Sequence, residues 1–142
     1  MVRARVLVRG EGQGPLLRLG SPISFWGGVD PETGTIADPR HPDHERSISG
    51  TVLALPGAVG SSSSSAIMLE LLRRGIAPAA VLMAEADAIL SLGVVVGAEL
   101  GYEGVPVVEV EMDALDAWEQ GTVLHVGADG IIQTKKNKGG TP

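Results

Sequence analysis

The stretch from Thr51 to Gly75 constrains the chain most. Thr51–Leu55 is an apolar run that reads as a strand, and Pro56 and Gly57 end it. Gly60 frees the backbone to turn, five serines follow (Ser61–Ser65), and from about Ser63 the pattern becomes helical. Ile67, Met68, Leu71 and Leu72 share one face of that helix. Arg73 and Arg74 suit the negative end of its dipole, and Gly75 is a good terminator. A strand, a glycine turn, a hydroxyl cluster and a helix in that order aim unpaired N–H groups at whatever lies beside Ser61 and Ser62, which makes an anion site. The plainer alternative is an N-cap followed by a polar loop. Against it, the run sits at a strand–helix junction and its neighbours are small or apolar, unlike those of a linker.

What surrounds this unit sets its class. A chain of 142 residues holds one domain with a real core. Two Trp, one Tyr and one Phe leave that core to Val, Leu, Ile and Ala, while 20 glycines and 9 prolines imply many turns. The net charge of −6, without basic–aromatic alternation, argues against nucleic acid as a partner. No apolar run is long enough for a membrane span, and Met1-Val-Arg-Ala-Arg does not lead into a signal-peptide core, so the expected compartment is the cytoplasm. Cysteine is absent, which removes thiolate nucleophiles and thiolate-held metal or iron–sulfur centres from this chain.

In chain order, Val2–Arg9 alternates as a half-buried strand, Gly10–Gly14 reads as a loop, Leu16–Leu19 as a short strand, and Pro22–Trp26 as an extended piece. Gly27 and Gly28 permit close backbone approach, and Asp30-Pro-Glu-Thr-Gly34 is a turn; a hairpin capped by Trp26 is the simpler reading of this segment. Ile36–Gly50 is irregular. Its Asp38, His41, Asp43, His44 and Glu45 match no zinc or calcium spacing, so a solvated loop covering a neighbouring surface is the simpler reading, and without a Gly-x-Ser-x-Gly elbow a Ser-His-Asp hydrolase is unsupported. After the central unit come a strand over Ala77–Met83, a short helix over Glu85–Leu92 with Asp87 as N-cap and Gly93 behind it, a strand over Val105–Val110 whose Pro106 places its start near an edge, a helical turn over Leu115–Glu119, and a hairpin pairing Thr122–Val126 with Ile131–Thr134. Val94–Val96 either extends that helix or begins a strand. The order predicts a single α/β domain of three-layer β/β/α type over residues 1–134, with a disordered basic tail over 135–142.

Ser24-Phe-Trp-Gly-Gly-Val-Asp-Pro-Glu-Thr-Gly34, then Asp38 and His41, Gly60-Ser61-Ser62 and Gly75-Ile-Ala-Pro-Ala-Ala80 resemble the swivel-domain small subunit of the aconitase X family. The resemblance covers about Val6 to Gly130, and the Gly-Gly-Val-Asp-Pro-Glu-Thr-Gly string is its specific part. It implies a swivelling β/β/α fold and a dehydratase assembled with a large subunit that holds an iron–sulfur cluster through its own cysteines. Aconitase-like swivel domains carry a Gly-Ser-Ser-Arg turn whose first serine is the proton-abstracting base, so the resemblance gives Ser61 that role; Gly60, Ser62, Gly27, Gly28 and Asp30 are the candidates for substrate binding, the Trp26–Gly34 stretch either lining the active cleft or packing against the large subunit. Ser63 stands where the arginine would be. The family's substrates are cis-3-hydroxy-L-proline, dehydrated to a pyrroline-2-carboxylate, and (R)-5-phosphomevalonate. Phosphomevalonate forms tend to read Gly-Ser-Thr-Val-Gly-Ser after the strand; Gly60-Ser-Ser-Ser-Ser-Ser65 is nearer the hydroxyproline type. A reading of another class keeps the Gly60–Ser65 turn as the anion site of a stand-alone binding module.

Overall fold

The computed structural model describes residues 1–57 and 63–135. Eight strands form one sheet: β1 (Val2–Arg3), β2 (Arg5–Val8), β3 (Gly12–Arg18), β4 (Val52–Leu55), β5 (Ala80–Met83), β6 (Val107–Glu109), β7 (Val123–Val126) and β8 (Ile131–Thr134), in the order β1-β8-β7-β3-β4-β5-β6-β2. Its centre, β3 to β6, is parallel, and both flanks are antiparallel. The helices are a single turn α1 (Phe25–Gly28), α2 (Ser64–Arg74) and α3 (Ala88–Glu99), with a 3-10 turn at Met112–Leu115.

Alternation along the central strands builds two cores. Leu53, Leu55, Val81, Met83 and Val107 face the helices and meet Met68, Leu71, Leu90 and Val94. Val52, Ala54, Ala80, Leu82 and Val108 face the other way and meet Leu124, Val126 and Ile132 of the β7–β8 hairpin. The parallel strands, buried on both sides, are therefore the middle of three layers, hairpin, sheet and helices, as the β/β/α expectation holds.

The N-terminal stretch splits at Ala4 instead of forming one strand. Its first part pairs with β8 and its second with β6, so one extended segment joins the two outer members of the strand order. Ala4 N–H donates to the Gly130 carbonyl at 2.8 Å, and a side chain on Gly130 would meet the Ala4 oxygen. Strand β3 begins inside the expected loop: a Cβ on Gly12 or Gly14 would overlap the carbonyl oxygen of Ala79 or Gly50, so these glycines admit close neighbours rather than a turn. For the same reason Pro106 is not at an edge. β6 lies between β5 and β2, and the Pro106 carbonyl accepts Val81 N–H at 2.9 Å.

Helix α2 follows its sequence pattern and ends at Gly75 in the left-handed conformation (φ 71°). The Asp87 cap also holds, its carboxylate accepting from Ile89 and Leu90 N–H. Gly93, however, does not end α3. A Cβ there would press on the Ser65 backbone, so the residue lets α3 lie tightly against α2, and the valines behind it continue the helix.

Candidate functional site

Parallel strands present their carboxyl ends, and the loops that follow them, on one side of a sheet, where α/β folds place ligands. β4 ends there in Pro56 and Gly57, and the chain runs on into the serine cluster before α2. Gly60, Ser61 and Ser62 lie outside the described residues. The flanks are described. A Cβ on Gly57 would sit 3.3 Å from Pro22, in the segment leaving β3, and Ser64 is buried in the first turn of α2.

From Pro22 onward the chain is not extended as expected. Ile23 and Phe25 are buried in the helix-side core, and Val29 N–H closes a turn onto the Phe25 carbonyl at 3.1 Å. Inside that turn Trp26 (ψ 115°) and Gly27 (φ 78°) leave helical geometry, the second in a region that favours glycine. The break throws the Trp26 side chain outward, 61% exposed, in a chain otherwise poor in aromatics. A Cβ on Gly28 would fall 2.7 Å from Ile23 Cγ1, whereas one on Gly27 would meet nothing within 4 Å. Gly28 is thus fixed by packing, while Gly27 faces open space.

Asp30–Gly34 forms the expected hairpin turn. Gly34 N–H donates to the Asp30 carbonyl at 2.8 Å, Asp30 Oδ1 accepts Glu32 N–H at 2.9 Å, and Val29 and Ile36 bridge behind it. Asp30 shapes this turn and does not line the hollow described next.

Gly27, Gly28 and Trp26 form one part of the wall of a hollow of about 620 Å³, and Asp38, Arg40 and His41 form a second. Two backbone ties hold that second part. The buried His41 ring accepts Asp43 N–H at Nδ1 (3.0 Å), which leaves the proton on Nε2 to donate to the Ser21 carbonyl (3.0 Å). Asp43 Oδ2 accepts Gly20 N–H at 2.8 Å. His41 is therefore a structural bridge between the two loops. Asp38 Oδ1 accepts the backbone N–H of Arg40 (2.9 Å) and its Nε–H (3.3 Å). That backbone N–H first, then the guanidinium, hold the Asp38 carboxyl below its ordinary range. Among the described residues no three His, Asp or Glu side chains gather as a metal set would.

The sequence reading placed Gly27 and Gly28 at this site, and both line the hollow. The sequence does not single out Arg40, because the stretch around it reads first as a solvated loop and only second as metal ligands or hydrolytic chemistry. The signal was an Asp-x-Arg spacing that lets one carboxylate hold an arginine two residues on.

The sequence model of the aconitase X swivel domain matches residues 1–134. The chain belongs to the aconitase X swivel-domain family. The cis-3-hydroxy-L-proline dehydratase of Pseudomonas aeruginosa is 43% identical over 107 residues, 75% of this chain but 18% of that enzyme. The phosphomevalonate dehydratase small subunit of Methanothermobacter thermautotrophicus is 39% identical over 129 residues, 90% of this chain and 94% of that one. The crystal structure of holo aconitase X from Thermococcus kodakaraensis superposes with a TM-score of 0.82 at 28% identity, covering 94% of this swivel domain and 97% of the matched chain.

Proposed function

We propose that this swivel domain is the small subunit of an aconitase X-type hydro-lyase, inactive alone, that dehydrates a 3-hydroxy acid once a large subunit closes over the carboxyl edge of its sheet. The observation that carries the reading is the family match along residues 1–134, with Gly57, just past β4, close to Pro22 in the lining of the Trp26 hollow. In this reading Ser61 is the base. Its oxygen takes the proton next to the substrate carboxylate, the electron pair forms the double bond, and hydroxide leaves from the neighbouring carbon. A serine alkoxide is too costly in water; helix N–H groups and exclusion of solvent lower that cost. Gly60 and Ser62 would hold the substrate from the same turn, and Gly27 and Gly28 from the hollow, with Asp30 keeping their loop in shape.

A partner is supported by α3. No residue from Ala88 to Ala98 is charged, and Leu92 and Leu100 stand 52% and 58% exposed. A helix apolar on all sides is normally covered. The iron–sulfur cluster is assigned to the large subunit, since a chain without cysteine offers no thiolate, and no step on this side runs through it. The assembly is placed in the cytoplasm; no helix among the described residues is long and apolar enough to cross a membrane. No role toward nucleic acid is assigned.

The substrate assigned is cis-3-hydroxy-L-proline, on the serine run and the 43% identity to its Pseudomonas dehydratase. (R)-5-phosphomevalonate is the second reading, favoured by the match along 94% of the Methanothermobacter subunit. Purifying the chain with and without a co-expressed large subunit and supplying both hydroxy acids decides between them. Turnover of hydroxyproline by the complex alone is expected. Turnover by the isolated chain would overturn the subunit reading, and tight binding of phosphate or carboxylate to it in calorimetry would favour a stand-alone anion-binding module.

A further inference from the structure

Among the described residues, Arg40 is the only lysine or arginine lining the Trp26 hollow. Its side chain is 89% exposed, and its one ion pair joins Nε to Asp38 Oδ1. The second contact of that oxygen, to Arg40's own backbone N–H, fixes the carboxylate relative to the arginine it holds. Asp38 therefore engages the inner edge of the guanidinium. Neither terminal nitrogen has a partner among the described residues, and these two form the fork that matches a carboxylate. In the same hollow Trp26 is exposed, and a Cβ on Gly27 would meet nothing within 4 Å among the described residues. A cation held by an acid, sharing a hollow with an exposed aromatic ring, suits a small ligand with a carboxylate at one end and a ring or short carbon skeleton at the other.

We propose that the Trp26–Arg40 hollow is the carboxylate-recognition half of the substrate site, with Arg40 pairing the carboxylate, Asp38 orienting Arg40, and Trp26 packing on the carbon skeleton. The inference rests on the dehydratase reading for its substrate and adds to it the group that selects an acid. It needs no contribution from residues outside the described chain. Because His41 is bound to backbone on both sides, Asp38 and Arg40 are carried by a loop that is anchored rather than loose.

Two measurements test it. In the complex with the large subunit, Arg40→Gln is expected to raise KM for the hydroxy acid about 10- to 100-fold while kcat changes little, since the interaction is the same in the ground and transition states. Arg40→Lys restores part of the loss. Equal KM for wild type and Arg40→Gln overturns the proposal, and so does a fall in kcat alone. The second measurement uses the full chain carrying Trp118→Phe, so that Trp26 is its sole tryptophan. Millimolar pyrrole-2-carboxylate should change Trp26 fluorescence, pyrrole-2-carboxamide should not, and Arg40→Gln should abolish the response. If the complex dehydrates neither hydroxy acid, the proposed activity fails and the hollow is judged by fluorescence: an Arg40-dependent response to the carboxylate upholds it, and no response, or one shared with the amide, overturns it.

Discussion

The two ends of the parallel sheet each carry a hollow, and they are built of opposite material. At the carboxyl end the hollow of about 620 Å³ has an exposed tryptophan, an arginine and a carboxylate engaged with that arginine. At the amino end, beside the segments entering β3, β5 and β6, a smaller hollow of about 290 Å³ is lined by Glu11 and Glu103, with Gln13, Leu72 and Pro78 and no cation. On the proposed reading an acidic substrate would meet two carboxylates at the second and a cation at the first. Strand direction alone favours the carboxyl end, because loops and helix starts gather there; the charges agree with it independently. Shape does not separate the two hollows. What separates them is which residues the connecting loops carry.

The comparison can be attacked from both sides. The largest effect is expected from Ser61→Ala in the complex, a fall in kcat of about 10²- to 10⁴-fold as for loss of a general base; near-normal turnover would remove that serine from the chemistry. Next comes Gly28→Ala, whose new methyl meets Ile23, with an expected loss of about 1–3 kcal/mol in denaturant unfolding. Gly27→Ala meets no atoms, and its cost, about 1 kcal/mol, comes from the positive φ alone. The reverse ranking would mean that this wall of the hollow is held differently. Asp87→Ala removes the α3 cap and should lower stability by about 1 kcal/mol without altering KM.

A smaller effect concerns Glu70. Hydrogen bonds from Arg73 and Arg74 lower its carboxyl from the ordinary 4.5 to about 2. A lowered folded-state value means that the stabilisation is present above pH 4.5 and is lost as pH falls toward 2. Glu70→Gln should therefore flatten the acid limb of the unfolding midpoint against pH and leave neutral pH nearly unchanged, the pair being open to solvent. Smallest of all, Glu103→Gln at the amino-end hollow should leave KM and kcat within about twofold, as expected of a surface change away from the site. A KM change matching that of Arg40→Gln would erase the distinction between the two ends.

Helices α2 and α3 show why some of this was legible in the residues and some was not. α2 has an apolar face, two arginines in its last turn and a terminating glycine, all within eleven residues, and its outer face carries Glu70, Arg73 and Arg74 in mutual ion pairs. Every signal is local, so the sequence reading and the structure agree. α3 is apolar around its circumference, and its Gly93 looks like a stop. Only the backbone of α2, packed against it, shows that the glycine is a contact. The same holds for Gly12 and Gly14, which read as a loop until the carbonyls of Ala79 and Gly50 are placed beside them.

The sequence by itself determined the elements whose causes lie within a few residues: the buried parallel strands, helix α2, the Asp87 cap, the β7–β8 hairpin, and a family resemblance carried by one specific string. The tertiary structure alone decided what depends on partners far along the chain. The split of the N-terminal strand at Ala4 answers to Gly130 on one side and to β6 on the other. The presence of Trp26 and Arg40 in one hollow answers to a histidine that ties two loops together. A hydrogen bond or a van der Waals contact acts over a few ångströms of space, however many residues of chain lie between, and only folding brings such residues within that range.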